Sequence, residues 1–188
     1  MYPFLRLAAE LARHRTSPPL GLTGEHRARH VCWPWDIDPW LELNNGRALT
    51  LYDLGRVVLF RRLGIVPLMR ARRWGGTIAG VSVRYRRRVR AFDRYELRSR
   101  MIGWDARFFY AEQGMWRAET CCSHALLRMA ITSAEGIVPA PEVAEAMGAS
   151  RVGPTLPGWV GAWIAAEDAR PWPPMPGAAE IAPAAARG

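Results

Sequence analysis

The segment from Asn45 to Leu63 constrains the fold more than any other part of the sequence. Its apolar residues fall on more than one face of a helix, which predicts a long helix that is buried on most sides. Asn44 is a favoured residue for capping the start of a helix, and Gly64 is a favoured residue just beyond the end of one. Such a helix has to be covered by other elements of the chain.

Alternating apolar and polar residues predict that the covering layer is a β-sheet. From Thr77 to about Arg90 the pattern has a period of two, which is typical of a strand with one solvated face. Turn-like residues at 105–107 and 117–119 separate further strands. These strands are predicted at Tyr95 to Trp104, Phe108 to Trp116 and Thr120 to Thr132. With another strand at Glu25 to Trp35, the sequence predicts an α+β domain of about five strands around one helix.

Composition divides the chain into three parts. Residues 1–24 predict an N-terminal amphipathic helix with a connector, residues 25–148 the folded domain, and residues 149–188 a Pro- and Ala-rich C-terminal tail. We expect the N-terminal helix to pack on the domain rather than to rest on a membrane, because it is brief and interrupted by arginines. Pro139 to Met147 predicts a short capping helix, and the tail predicts disorder apart from a turn at Trp159 to Ala166.

Charge and cysteine content narrow the class of protein. The net charge is +9, and all 26 basic residues are arginine, whose planar group of donors suits a phosphate-rich partner. Three cysteines cannot form a disulfide framework, and no secretion signal or transmembrane segment is expected, so we expect a cytoplasmic protein. The histidines and cysteines have no recognisable metal-ligand spacing, and we expect neither a metal nor a cofactor.

A known family shares the pattern around the start of the predicted helix. The stretch DIDPWLELNNGRALTLYDLGR, from Asp36 to Arg56, resembles the signature of hotdog-fold thioesterases: two aspartates one residue apart, a short loop, two asparagines, then a helix with an acid and an arginine. The wider stretch from Cys32 to Met129 resembles the branch of thioesterase superfamily member six and 4-hydroxybenzoyl-CoA thioesterase, and the resemblance covers roughly residues 1–148. Two positions depart from it, since many relatives have His in place of Glu42 and Tyr in place of Ala48. The resemblance implies a curved antiparallel sheet wrapped around one long buried helix, and hydrolysis of an acyl-CoA thioester.

The resemblance also implies the catalytic groups. Asp38 would attack the thioester carbonyl or activate a water, while the backbone N–H at Asn45 would receive the oxyanion. A simpler interpretation is that the aspartates cap turns and the asparagines cap the helix. We interpret Asp36 as structural. Asp53 is the second candidate for the base, although an ion pair with Arg56 on the same helix face explains it equally well.

Substrate contacts are predicted on both sides of this segment. The run RYRRRVRAFDR, from Arg84 to Arg94, is the most concentrated charge in the chain. Its outward arginines keep a sheet edge soluble, and some of them could bind the phosphates of coenzyme A. The candidate substrate contacts are Asn44, Trp40, Arg84, Arg86 and Arg88.

Three functions fit the expected fold. The first is an acyl-CoA thioesterase that forms a homodimer or homotetramer and binds no nucleic acid, because its aromatic residues belong to an apolar strand. The second is a non-catalytic scaffold for an acyl chain or a protein partner. The third is a dehydratase or hydratase, which would normally require a catalytic His where this chain has Glu42.

Overall fold

The computed structural model describes residues 2–174. The chain divides into two compact units, residues 1–154 and residues 155–188. The described part of the second unit contains one helix, α5 (Gly158–Asp168), which includes the turn expected at 159–166. The disorder expected for the last residues of the tail falls largely outside the described residues.

The first unit is an α+β domain with one antiparallel sheet. Its helices are α1 (Phe4–Arg13), α2 (Asn45–Arg62), α3 (Ile65–Arg72) and α4 (Ala140–Ala146). Its strands are β1 (Glu25–Val31), β2 (Gly75–Tyr85), β3 (Arg94–Trp104), β4 (Phe109–Arg117), β5 (Thr120–Ser133) and β6 (Gly136–Val138). The strand order is β1-β3-β4-β5-β2, and β6 pairs with the last residues of β5. The sheet curves around α2, which confirms the predicted hotdog fold.

Helix α2 is the centre of the core. The Asn44 side chain accepts a hydrogen bond from the Arg47 N–H at 2.9 Å, so the predicted N-cap is confirmed. The helix packs very close to β3 at Gly55, where an added Cβ would lie 2.7 Å from Ser99 Oγ. The buried residues of α2 are Ala48, Leu51, Tyr52, Leu54, Gly55, Val58 and Leu59. They cover more than one helix face, as the sequence pattern predicted.

The ends of two strands and the presence of one helix differ from what the sequence predicted. β1 ends at Val31 rather than at Trp35, and residues 34–36 form a 3-10 turn that begins with proline. β2 ends at Tyr85 rather than near Arg90, because the next two backbone N–H groups both donate to Cys122 O, at 2.8 and 3.0 Å. Helix α3 was not predicted, and it begins directly after Gly64, whose φ of 80° ends α2.

The two edges of the sheet differ in their side chains. On β1, exposed and buried residues alternate, and two of the outward positions carry Arg27 and Arg29. On β2, which is 11 residues long, most residues are exposed, including the apolar Ile78 and Val81. The expectation of a single solvated face is therefore wrong, because consecutive residues of the strand are exposed and both of its faces meet solvent. Within residues 2–174 the strand pairs along one edge only, with β5.

Helix α1 packs on the domain, as expected. Its Arg6 reaches Asp36, and its Leu11 carbonyl accepts a hydrogen bond from Arg61 of α2 at 3.0 Å. Between α1 and β1 lies a buried cluster made of Glu10, His14, His26 and His30. Among the described residues, no helix is long and apolar enough to cross a membrane.

Candidate active site

A cavity of about 260 Å³ opens beside the first turn of α2. It lies between that turn, the end of β2 and the loop that follows β2. The lining residues are Glu42, Leu43, Asn45, Ala48, Tyr85, Arg86, Arg87, Arg88, Val89, Met115 and Ser123. The cavity lining therefore combines an arginine-rich segment with the start of a helix.

The helix start offers hydrogen-bond donors that are not used within the fold. The N–H of Arg47 donates to the Asn44 side chain, and that of Ala48 donates to Asn44 O at 2.8 Å. In the part of the chain that the structure describes, no hydrogen bond uses the N–H of Asn45 or Gly46. Such amides carry the positive end of the helix dipole and favour a developing negative charge.

Tyr85 joins the end of β2 to the start of α2. Its hydroxyl donates to Asn45 O at 3.0 Å, and burial raises the pKa of the phenol. The sequence analysis missed this residue as part of the site. The alternating pattern around Tyr85 indicated only that it belongs to a strand. Nothing in the sequence indicated its contact with Asn45, 40 residues earlier in the chain.

The floor of the cavity is polar at one point. The Ser123 and Tyr52 hydroxyls lie 2.9 Å apart, and burial raises the pKa of Tyr52 well above its usual range. Ser123 and the neighbouring lining residue Met115 come from paired strands β5 and β4. Neither residue was predicted, because the sheet brings them to the helix from far along the chain.

Asp38 lies half-buried in a short loop that leads to the cavity. Its Oδ1 accepts hydrogen bonds from the N–H groups of Trp40, at 2.9 Å, and Glu42, at 3.4 Å. Its own N–H donates to Glu42 O at 2.8 Å, so the loop folds back on itself. Among the described residues, no hydrogen bond or ion pair uses the second carboxylate oxygen, Oδ2. Asp38 is not one of the residues that line the cavity, but the loop delivers Glu42 to it.

Asp36 has a different environment from Asp38. It is fully buried, and it accepts from Arg6 Nη1 and Arg47 Nε, each at 2.7 Å, and from the Trp33 N–H at 3.0 Å. Its carbonyl accepts from the Asn44 N–H at 3.0 Å. Asp36 thus ties α1 to the start of α2, which supports the structural role expected for it.

Asp53 lies on α2 away from the cavity. It forms the expected ion pair with Arg56 Nη2. The other terminal nitrogen of Arg56, Nη1, donates to Gln113 Oε1 at 3.0 Å. The fully buried Gln113 side chain donates to Tyr52 O at 2.8 Å and to Ser99 Oγ at 2.7 Å. Burial lowers the pKa of Arg56, and Asp53 opposes that shift.

The predicted substrate contacts are distributed unevenly. Arg86 and Arg88 line the cavity, and Arg88 Nε lies 2.9 Å from Glu42 Oε2. Arg84 is exposed on β2 and is not a lining residue. Trp40 is also exposed at the tip of the Asp38 loop, and Asn44 lines a neighbouring cavity instead.

Comparison with known families shows which superfamily the chain belongs to. A family model described as the thioesterase-like superfamily matches residues 32–164. The chain belongs to the thioesterase-like superfamily. Within this superfamily, it is similar to Protein THEM6 of Xenopus laevis, with 33% identity over 111 residues, 58% of this chain and 54% of that protein. Protein THEM6 of Drosophila melanogaster is 33% identical over 84 residues, 44% of each chain. The chain spans about half the length of these curated relatives.

Several solved structures have the same fold as our chain, although their sequence identity to it is low. A probable thioesterase from Escherichia coli, YbaW, aligns with a TM-score of 0.59 and 15% identity, covering 64% of this chain and 94% of that one. A thioesterase from Thermus thermophilus, complexed with coenzyme A and Zn, aligns with a TM-score of 0.56 and 21% identity, covering 65% and 90%. In the described part of our chain, no group of three or more His, Cys, Asp or Glu is arranged to hold a metal ion.

Proposed function

We propose that the protein hydrolyses an acyl-CoA thioester to a free carboxylic acid and coenzyme A. The observation that carries the proposal is the pair of unused N–H groups at Asn45 and Gly46, beside a cavity with an arginine-rich wall. Hydrolysis of a thioester needs donors for the developing oxyanion, and acyl-CoA needs cations for its phosphates. Both are present within the thioesterase-like superfamily fold.

Asp38 is the proposed catalytic residue. As a general base, its free Oδ2 would take a proton from a water whose oxygen attacks the thioester carbonyl carbon. The resulting oxyanion would be held by the N–H of Asn45 until the C–S bond breaks, and the leaving thiolate would take the proton back. As a nucleophile, Asp38 would instead form a mixed anhydride with loss of the thiolate, and water would then hydrolyse the anhydride. Both routes need Oδ2 ionised and accessible.

The arginines have the second role. Arg86 and Arg88 would bind the phosphates of coenzyme A at the mouth of the cavity, with Arg84 further along β2. The Glu42 carboxylate beside Arg88 holds the guanidinium in place before substrate arrives. Asn44 and Trp40, on either side of Glu42 in the chain, would contribute to the walls around the acyl end.

Assembly through the β2 edge would complete the proposed enzyme. An exposed strand of 11 residues with apolar side chains is a surface that a second copy can pair with. We propose a homodimer or a dimer of dimers, acting in the cytoplasm in lipid metabolism. The three free cysteines are compatible with a reducing compartment. Sedimentation should show a dimer or tetramer at micromolar concentration, and an active monomer would contradict this assembly.

One observation favours the scaffold alternative. The Asp38 Oδ1 is engaged by its own loop, and the carboxylate is not among the groups that line the cavity. If the loop keeps that conformation when an acyl chain binds, the protein would bind the chain without hydrolysing it. Trp40 and Glu42, whose amides hold Asp38, would then have a purely structural role.

A panel of acyl-CoA esters, assayed by release of free thiol, tests both functions. We expect turnover by the wild-type chain, loss of turnover in Asp38→Asn, and retention of most turnover in the matched control Asp53→Asn. An inactive Asp53→Asn variant with an active Asp38→Asn variant would move the base to the helix. If the wild-type chain binds acyl-CoA but releases no thiol from any ester, the scaffold function replaces the enzymatic one.

A further inference from the structure

Five large apolar side chains form an exposed surface near the start of α1. We call Phe4, Leu5, Trp33, Trp35 and Phe92 the aromatic patch. Their exposed fractions range from 36% for Trp33 to 88% for Leu5. Single exposed apolar residues are ordinary, but a continuous group of this size indicates an interaction surface.

The members of the patch are continuous with one another. The Trp33 and Trp35 rings stack with centroids 5.3 Å apart, and the Phe92 ring meets Trp33 edge-on at 6.4 Å. Phe4 and Leu5 share a cavity of about 910 Å³ with Trp35. The patch therefore joins three separate segments of the chain: the start of α1, the turn after β1, and the loop before β3.

The backbone holds the patch in place although its side chains are exposed. The Trp33 N–H donates to the buried Asp36 carboxylate, which also binds Arg6 of α1. The Phe92 N–H donates to Cys32 O at 2.6 Å, and Phe92 has a left-handed φ of 68°. A bulky residue is strained in that conformation. Within the chain the strained Phe92 ring gains only the edge-on contact with Trp33 and stays 65% exposed, which indicates that its other face packs against a partner.

Positive charge surrounds the patch. The groove beside Trp33 is lined by five arginines and three glutamates, and the cavity beside Trp35 includes Arg47. Arg90 lies two residues before Phe92 and is exposed. Asp36 and Asp93 each bind arginine, and the groove beside Trp33 has two more arginines than glutamates in its lining. With a net charge of +9 on the chain, this surface complements a negatively charged partner.

We propose that the aromatic patch docks the protein on a lipid bilayer that contains anionic phospholipid. Tryptophan rings favour the headgroup region of a bilayer, and arginines beside them favour anionic headgroups. This combination fits a membrane surface better than a protein partner, which would have to match both the rings and the arginines. The inference goes beyond hydrolysis and differs from our expectation that α1 only packs on the domain, because α1 packs and also exposes Phe4 and Leu5.

Docking would bring the candidate active site to the membrane surface. The loop from Arg86 to Asp93 lines the cavity with its first residues and presents Phe92 near its end. A substrate with a long acyl chain, or the free acid released from it, partitions into a bilayer. The patch would therefore place the cavity beside the phase that holds such molecules.

Co-sedimentation of the full chain with vesicles tests the proposal. We expect binding to vesicles of phosphatidylcholine with phosphatidylglycerol and much weaker binding to phosphatidylcholine alone. The variant Trp35→Ser with Phe92→Ser should lose at least about tenfold in partitioning, in line with the loss of buried apolar area. Arg90→Gln with Arg94→Gln should lose roughly fivefold for each arginine that reaches the surface, and added salt should produce a similar loss.

The matched control is Ile137→Ser with Val152→Ser, which also removes two exposed apolar side chains. Ile137 belongs to β6, which pairs with the end of β5, whereas the patch lies near the start of β3 and β5. The control should bind vesicles like the wild-type chain. A second patch variant, Phe4→Ser with Leu5→Ser, changes only exposed helix positions and covers the case in which the first variant does not fold.

Several outcomes would overturn the proposal. Wild-type binding at background level to the anionic vesicles would do so, and so would equal losses in the patch and control variants. If the vesicles are not bound but sedimentation shows self-association that the patch variants abolish, the patch is a protein interface. A folded patch variant with full vesicle binding would likewise contradict the assignment.

Discussion

On one side of the first turn of α2, the Asp36 carboxylate is fully buried and receives three hydrogen bonds, two of them from arginines. On the other side, the Asp38 loop leads to a cavity bounded by Tyr85 and a run of arginines. We call these the closed side and the open side. Two nearby aspartates thus have different surroundings. Both carboxylate oxygens of Asp36 accept hydrogen bonds, whereas among the described residues only Oδ1 of Asp38 does. A carboxylate that is fully paired supports the fold, whereas one with a free oxygen can do chemistry.

The largest effect should come from Asp38 on the open side. Asp38→Asn keeps the Oδ1 acceptor for the loop but removes the negative charge, so we expect kcat to fall by about 10²- to 10⁴-fold. The midpoint of thermal unfolding should change little. Thiol-release kinetics and calorimetry on the same preparation measure both quantities, and an unchanged kcat would falsify the role of Asp38.

The reverse pattern is expected for Asp36 on the closed side. Asp36→Asn removes the buried charge that Arg6 and Arg47 both bind, which should lower the free energy of unfolding by about 3 kcal/mol. Urea denaturation measures the loss, and Glu119→Gln in the exposed β4–β5 turn is a surface control. At temperatures where the variant is folded, its kcat should stay within a few-fold of wild type. A stable but inactive Asp36→Asn variant would contradict the separation of the two sides.

The closed side should also make stability depend on pH. Burial lowers the pKa of His26 to about 4 and that of His30 to about 3, with Arg6, Arg13 and Arg62 adding to the effect. Unfolding returns both to about 6.5, so the unfolded chain binds more protons below that pH. Stability is therefore fully present above about pH 6.5 and falls as the pH drops towards 4 and then 3. Glu10 opposes this, since burial raises the pKa of its carboxyl.

From pH 7 to pH 5 we expect a loss on the order of 2 kcal/mol for each of the two histidines, because one pKa unit corresponds to about 1.4 kcal/mol. The shift of the urea midpoint measures it. The variant His26→Gln with His30→Gln should show a shallower pH dependence, whatever its stability at pH 7. An equally steep dependence in that variant would assign the effect to other groups.

The smallest effect is expected for the arginine wall of the open side. Arg88→Gln should raise KM for acyl-CoA about three- to tenfold and change kcat less, because phosphate binding is equal in the ground and transition states. Arg27→Gln, on the exposed β1 edge, is the control. If pantetheine thioesters that lack the nucleotide are hydrolysed as efficiently as coenzyme A esters, the arginines have no such role.

The sequence predicted the elements better than it predicted the contacts between them. Helix α2 followed from its apolar pattern, and strands β3 to β5 followed from the turn-like residues that separate them. The alternation continued through the arginines after Tyr85, yet the chain leaves the sheet there to bond Cys122 O. Helix α3 has a proline at residue 67 and a weak apolar pattern, so local signals did not indicate it.

The sequence predicted those residues of the candidate site that lie together in one segment of the chain. Asn44 and Asn45 are positioned by the start of their own helix, and a capping signal is local. Tyr85 and Ser123 reach the site only through the pairing of β2 with β5. In the same way, His14, His26 and His30 showed no meaningful spacing in the sequence, but α1 and β1 bring them together beside Glu10.

The buried amide of Gln113 fixes how far α2 can move along its own axis. It donates to the Tyr52 carbonyl in the middle of the helix and receives Arg56 one turn later, while Ser99 holds it from the neighbouring strand. Sliding the helix by one turn, about 5.4 Å, would break the bonds of Gln113 to Tyr52 and Arg56 at once and leave buried polar groups without partners. The contacts of Gln113 in the middle of the helix therefore also fix the position of the N–H groups at its start, near Asn45. Loops around the cavity can change in sequence or move without displacing the N–H group of Asn45, our proposed oxyanion donor.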